Sequence, residues 1–330
     1  MDKVKIGIFG IGHNHAAPAI AALKKIKNAE IVGLWEESDE TYEKRLKESP
    51  AVYGDLPRRS KEELFGSGIS AAMVEESVPR LVKTATECAA RGLHVHMDKP
   101  AGTNLEEYEN FLKIVKEKNL VFQSGYMYRY NAGVRYLLQK VKSGALGRVY
   151  NISAQMSTKH PAEHKKQFIS YGTKAPVAFI FGCHLIDLCM QVKGAPQNLT
   201  AFHSVSGDGG IYFEDTSLIV MTYADGIATA KVSSVEANGW GMREFTVYGE
   251  KGSVSIRPLE NPMVVCETLN PEEKPWNDAH KTVQLKETGR YDAMAEEFVS
   301  SVLGKIPNPT DTEYEYLLQK LTLRACGYNV

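Results

Sequence analysis

The sequence predicts an α/β protein in two parts: a doubly wound parallel sheet, then an α+β half built on a large, mostly antiparallel open sheet. Three observations predict it. The chain begins with an apolar strand, a glycine turn and an Ala-rich helix. Strands then alternate with helices as far as Ser124, which is the pattern of a parallel sheet wrapped by helices. Beyond Tyr126, long β-rich runs follow one another across short turns, which is the pattern of antiparallel pairing. The 330 residues exceed one ordinary core, so two domains are expected, 1–125 and 126–330.

In the first part, Val4–Ile8 reads as a buried strand, broken by Gly10 and Gly12, and a helix follows with Pro18 in its first turn. A strand, a glycine turn and a helix N-terminus together can hold a pyrophosphate, because the glycines admit the backbone and unpaired N–H groups face the anion. The dinucleotide fingerprint has a third glycine where this chain has His15. Its companion is an acidic residue about 20 positions on, at the end of a second strand. Glu30–Trp35 is that strand, and Glu36 ends it. A carboxylate there accepts from adenosine ribose hydroxyls and repels a 2′-phosphate, so NAD is expected rather than NADP. The plain alternative for Glu36 is a solvated loop carboxylate.

Strands are expected at Ile69–Val74, Leu93–Met97 and Leu120–Ser124, with helices between them at Pro79–Arg91 and Leu105–Lys118. Glu75-Glu76-Ser77 and Asp98-Lys99-Pro100 follow two of these strands at their carboxyl ends, where ligands sit in such sheets. In the second part, helices are expected at Ala132–Lys142, Ile180–Val192, Tyr291–Leu303 and Glu313–Tyr328. Strands are expected at Val149–Met156, Leu199–Val205, Ser217–Tyr223, Ala228–Val235, Phe245–Tyr248 and Ser253–Ile256. Gly226 and Gly252 are expected in hairpin turns at positive φ.

Composition excludes several classes. Lys plus Arg (39) nearly cancels Asp plus Glu (40), so there is no electrostatic footprint for nucleic acid or an anionic membrane. No apolar run approaches 18 residues, and the first strand begins by Val4, leaving no room for a secretory segment. The five cysteines show no C-x-x-C spacing and read as thiols in a reducing compartment, so a cytoplasmic protein is expected. No metal site is expected; His160 and His164 are the one helically spaced histidine pair, without a third ligand close by.

The chain resembles the glucose-fructose oxidoreductase / inositol dehydrogenase / MocA (Gfo/Idh/MocA) family over nearly its whole length. The segments that carry the resemblance are Gly10-Ile11-Gly12, Gly92–Pro100, Gly125–Asn131, Ser143–Val149, Gly182–Asp187, Gly249–Ser253 and Tyr291–Met294. The resemblance implies a Rossmann domain followed by an α/β domain whose open sheet often forms a homo-oligomer interface. It also implies an NAD- or NADP-dependent oxidoreductase acting on a secondary alcohol or ketone of a sugar, cyclitol or related small molecule. Lys99 matches the lysine of the family's Glu-Lys-Pro motif, with Asp98 in place of Glu; its cation stabilises a developing alkoxide. An exposed loop lysine is the plain alternative. His184 matches the family's proton-carrying histidine, whose near-neutral pKa suits alcohol–ketone chemistry; a backbone-satisfied histidine at a helix start is its alternative. Asp187 on the same helix face is a candidate for substrate hydroxyls. Tyr126 and Arg129 match positions near the family's cleft between domains, with domain packing as their other reading. The cofactor set is then Gly10, Gly12, His13, Asn14, His15, Glu36, Glu76, Ser77, Asp98 and Lys99.

Three departures from the family stand out. His15 replaces the third glycine, with its imidazole expected at phosphate. Glu75–Leu81 replaces Thr-Pro-x-x-x-His beside the expected nicotinamide path. Ile180 stands four residues before His184, where the family carries an Asp that orients the histidine. These departures keep two other readings open: a cofactor-binding sensor or regulator without turnover, and a lyase or epimerase that uses NAD transiently.

Overall fold

The computed structural model describes residues 3–269, 280–286 and 288–330. The chain forms two compact units, 1–127 with 289–316, and 128–288 with 317–330. The expected boundary after residue 125 falls two residues earlier, and the expectation also placed 289–316 in the second part.

The first unit holds five parallel strands in the order β2-β1-β3-β4-β5. They are β1 (Val4–Phe9), β2 (Ala29–Trp35), β3 (Ala71–Val74), β4 (His94–Met97) and β5 (Phe122–Ser124). Short runs of Ile, Val, Ala and Met suit strands buried in a parallel sheet, and Ile6, Ile8, Met73, Val74, Val95 and Met97 are all buried. Helix Leu81–Ala90 packs on β3, β4 and helix Leu105–Glu117. The strand order reverses direction between β1 and β3. In doubly wound sheets such a reversal opens a crevice at the carboxyl ends of the strands, and there ligands bind.

Segment 289–316 belongs to this unit because it closes the free edge of β5. Thr310 Oγ1 accepts from the Phe122 N–H (2.7 Å) and donates to the Phe122 carbonyl (3.0 Å). The Asn308 amide donates to the Leu120 carbonyl at 3.0 Å. An edge strand presents unpaired N–H and C=O groups, and two side chains here satisfy them where a sixth strand would stand. Helix Asp292–Val302 packs on helix Ala16–Lys24. Local pattern carries none of this, since these contacts span about 190 positions.

The second unit holds eight strands in the order β13-β12-β11-β10-β6-β9-β8-β7. They are β6 (Val149–Ser157), β7 (Asn198–Ser204), β8 (Thr216–Tyr223), β9 (Gly226–Ser233), β10 (Glu244–Gly249), β11 (Gly252–Ile256), β12 (Val265–Leu269) and β13 (His280–Val283). Among the described residues, all neighbours pair antiparallel except β6 with β9. Strands β12 and β13 are not among the expected ones. Helix Cys183–Lys193 covers β6 and β9. The other face leaves Phe202, Leu218, Ile227 and Tyr248 exposed.

Gly226 does not adopt the positive φ expected of it. Its glycine serves a close approach: a Cβ there would lie 2.5 Å from the Tyr150 carbonyl oxygen. The helix expected from Ile180 begins earlier and with a different winding. Ala178–Gly182 forms a π-helical turn, and the α-helix runs from Cys183 to Lys193. A Cβ on Gly182 would lie 2.9 Å from Ile219 Cδ1, so this glycine allows the turn to rest on β8.

Thr310→Val tests the edge closure. It removes a hydroxyl that satisfies two backbone groups of β5, so urea denaturation should show a loss of about 1–3 kcal/mol. An unchanged midpoint would show that water serves that edge equally well.

Candidate functional site

In the first unit the sequence-predicted residues converge on the carboxyl ends of β1, β3 and β4. Gly10 has φ +78°, and a Cβ there would lie 2.6–2.8 Å from atoms of Glu76. A Cβ on Gly12 would lie 3.0 Å from the Ser77 nitrogen. The two glycines thus let the segment after β3 press against the turn. The His13 N–H donates to the Glu75 carbonyl at 2.8 Å, tying the turn to that segment. Glu36 is buried, and its carboxylate accepts from the Ile11 N–H (2.9 Å) and the Ser38 N–H (3.0 Å). Arg45, which sequence reasoning passed over, donates to the carbonyls of Ile11 (3.1 Å) and Gly12 (2.9 Å) and to Asn14 Oδ1 (3.0 Å). Nothing local marks Arg45, which reaches the turn from a helix 33 residues on.

The two histidines of the turn point at Asp98. His15 Nδ1 lies 3.1 Å from Asp98 Oδ2, and His13 Nδ1 lies 3.3 Å from the same oxygen. The Lys99 N–H donates to Asp98 Oδ1 at 2.6 Å. Burial lowers the His15 imidazole to about 3, overcoming the nearby Asp98 carboxylate. Burial opposes the charge on Asp98, but His13 and His15 hold its carboxyl below the usual range. Burial, reinforced by the Asp98 charge, raises Glu75 well above it. Glu75 Oε1 lies 3.6 Å from His96 Nε2, and Glu75 Oε2 lies 4.0 Å from His13 Nδ1. Glu76 points elsewhere, to Arg80 at 3.1 Å, and burial raises its carboxyl although Arg80 opposes this. Lys99 is buried.

In the second unit, His184 opens helix Cys183–Lys193 directly after the π-helical turn. It is buried, and its ring meets Tyr128 edge-on at 5.1 Å. Tyr128 donates to Glu260, Arg243 donates to the Tyr128 hydroxyl (3.1 Å), and Arg243 pairs with Glu260 (2.8 Å). Sequence reasoning quoted Tyr128 within a family segment without assigning it a role, and it missed Arg243 and Glu260. Arg129 holds both oxygens of Asp187, with Nε 3.0 Å from each and Nη2 2.8 Å from Oδ1. The two expected substrate residues are therefore each other's partners. Tyr126 is buried in the first unit. His160 precedes helix Ala162–Ser170, stacks on Phe181 at 5.2 Å and has its ring 5.8 Å from that of His164.

Known proteins share these parts. A family model described as "Oxidoreductase family, NAD-binding Rossmann fold" matches residues 4–126, and one for the GFO/IDH/MocA C-terminal domain matches residues 134–255. The chain belongs to the Gfo/Idh/MocA family. As a Gfo/Idh/MocA protein it is an NAD(P)-dependent oxidoreductase. It is 20% identical to the myo-inositol 2-dehydrogenase of Thermotoga maritima over 273 residues, 79% of this chain and 78% of that one. It is 28% identical to the glucose-6-phosphate 3-dehydrogenase of Bacillus subtilis over 192 residues. That match spans 56% of this chain and about half (52%) of the Bacillus enzyme. The fold also matches a crystal structure of an aldose-aldose oxidoreductase from Caulobacter crescentus complexed with glycerol. There the TM-score is 0.80 at 15% identity, covering 98% of each chain. Among the described residues, no helix of this Gfo/Idh/MocA protein is long and apolar enough to cross a membrane.

His160 gives a pH prediction. Burial, with His164 and Arg243 adding to it, lowers its imidazole to about 4. The unfolded chain then takes up this proton near the ordinary value of about 6.5 and the folded chain only near 4. The stability this group contributes is present above pH 6.5 and is lost as pH falls toward 4. His160→Phe keeps a ring on Phe181 and should flatten stability against pH across that window, measured by urea denaturation at each pH. An identical slope in the variant would assign the loss to other groups.

Proposed function

We propose that this chain exchanges a hydride between NAD and the secondary-alcohol or ketone carbon of a sugar, cyclitol or related polyhydroxylated small molecule. The observation that carries this reading is the turn between β1 and helix Ala16–Lys24. The helix has no acidic residue in its first turn and no side-chain cap on its N-terminus, so its N–H end suits a pyrophosphate. Each Glu36 oxygen holds one backbone N–H and keeps lone-pair capacity for a ribose hydroxyl. A 2′-phosphate would meet that buried carboxylate as a like charge, which favours NAD over NADP. His13, Asn14 and His15 complete the turn, with Glu76, Ser77, Asp98 and Lys99 following β3 and β4.

The bound dinucleotide supplies or accepts the hydride; the chain manages charge and proton. In the oxidative direction, the Lys99 ammonium stabilises the alkoxide that develops as hydride leaves, and His184 takes the hydroxyl proton. Tyr128, edge-on to His184 and held by Arg243 and Glu260, fixes that ring. The Arg129–Asp187 pair offers hydrogen bonds to substrate hydroxyls. The sugar and cyclitol dehydrogenases among its relatives support this substrate class. We also assign the exposed face with Phe202, Leu218, Ile227 and Tyr248 to a homo-oligomer. The five cysteines, all free thiols, suit the cytoplasm.

A fluorescence titration should show NADH binding more tightly than NADPH. Glu36→Ala should narrow that difference, and equal affinities in the unaltered protein would count against the role of Glu36. Lys99→Met should bind NADH normally while kcat on a sugar or cyclitol substrate drops roughly 10²–10³-fold, the usual cost of losing one preorganised charge donor. Unchanged kcat would remove Lys99 from the reaction. Ile180→Asp, one turn before His184, should raise turnover or move its pH profile. A folded Asp variant with the same rate and profile would mean that a carboxylate at 180 does not reach the His184 ring across the π-helical turn.

A further inference from the structure

Arg243, the residue just before β10, joins three stretches of the second unit that lie far apart in the sequence. Its side chain is 4% exposed, and its Cζ lies 4.0 Å from the centroid of the Trp240 ring. Nη1 donates to Glu260 at 2.8 Å and to the Tyr128 hydroxyl at 3.1 Å. Nη2 donates to Thr158 Oγ1 at 2.7 Å, and Nε donates to the Ser157 carbonyl at 3.4 Å. Four of the five N–H donors of a guanidinium are thus in use. They reach Tyr128, the end of β6 and the segment after β11. The same contacts assign the direction of each neighbouring O–H. An arginine N–H can only donate, so the Tyr128 oxygen accepts from Arg243 and its one proton goes to Glu260. Thr158 Oγ1 likewise accepts from Arg243 and donates to the Ser157 carbonyl at 2.7 Å. The phenol proton is therefore committed away from His184, to which Tyr128 offers only its ring, 5.1 Å away and edge-on.

We propose that Arg243 is a positioning residue for proton transfer, acting on His184 through Tyr128, and that its fork geometry rather than its charge does this. The proposal rests on the reading of His184 as proton carrier and goes beyond it in two ways. It removes Tyr128 as a proton donor, and it makes one guanidinium set both the His184 side and the end of β6. A guanidinium holds its N–H groups in fixed directions in one plane, whereas an ammonium is a point charge on a flexible stem. Lysine at 243 could keep a charge beside Glu260, but it could not hold Tyr128, Thr158 and the Ser157 carbonyl in one plane. Without that hold the Tyr128 hydroxyl loses its donor, the ring is free to turn, and the imidazole edge-on to it loses its fixed orientation. Misplacing a reacting group by about 1 Å costs roughly 10²-fold in rate, so the loss should fall on kcat rather than on binding.

The test uses the full-length protein and two conservative variants: Arg243→Lys keeps the charge without the fork, and Tyr128→Phe keeps the ring without the tether. Each should lower kcat on a sugar or cyclitol roughly 10–10²-fold, with KM and NADH affinity unchanged. Combining them should lower kcat no further than the larger single loss, because residues that act through one another are not additive. Should Arg243→Lys fail to fold, Tyr128→Phe carries the kcat and KM comparison alone. A second readout needs no turnover. In protein carrying ¹³C-labelled histidine, the His184 ring signal, identified by its loss in His184→Ala, should move in both variants. The signals of His13, His15, His94 and His96, in the first unit, should stay. Unchanged kcat, a rise in KM alone, single losses that multiply in the double variant, or an unmoved His184 signal would each overturn the role of Arg243. Full kcat in His184→Ala would overturn the proton-carrier reading and this proposal with it. A loss in His184→Ala without one in the other two variants would overturn this proposal alone.

Discussion

The first unit depends on the parallel ladder continuing one residue past each strand. The Glu75 N–H reaches the Phe9 carbonyl, the Asp98 N–H reaches Val74, and the Gly125 N–H reaches Met97. These bonds (2.9–3.1 Å) carry the order of the sheet into the residues that follow its strands. They set Glu75 and Asp98 side by side at the ends of neighbouring strands, facing the turn that follows β1. Two carboxylates so placed and so buried cannot both be ionised without a compensating charge. The raised Glu75 and lowered Asp98 are one consequence; the choice of histidine at positions 13 and 15 is another. Glycine at 15 would allow closer helix packing but would leave Asp98 without one of its two imidazoles.

Much of this was legible in the sequence. The glycine turn, Glu36 at the end of β2, and the residues after β3 and β4 were all expected from period and spacing. Strand and helix period are local properties, and the carboxyl ends of parallel strands are where such a sheet places its ligands. The relation among His13, His15, Glu75, His96 and Asp98 was not legible. The turn residues and Asp98 are separated by 83 or more positions, and a histidine pair two apart on a turn matches no helical ligand spacing. His15 was read toward phosphate, whereas its Nδ1 lies on Asp98. The closure of β5 by Thr310 was hidden for the same reason: a polar loop residue far along the chain gives no local sign of the edge it will satisfy.

The second unit shows a related limit. The departure at Ile180 was visible, but the winding that surrounds it was not. Between Ala178 and Gly182 the helix widens to a π turn, and such turns occur mostly at functional positions. The extra residue rotates everything before it relative to His184, so the four-residue spacing no longer guarantees a shared face. What supports the His184 ring comes from elsewhere: Tyr128 stands edge-on to it, and the buried Arg243–Glu260 pair holds the Tyr128 hydroxyl. A carboxylate beside the imidazole would favour its charged form. A phenol edge supplies orientation with little charge. Isoleucine at 180 is then consistent with the rest of this helix, where His184 and Asp187 are both buried and the Asp187 carboxylate is already paired with Arg129. A second unpaired carboxylate at 180 would bring desolvation cost to a place where the existing charges are balanced.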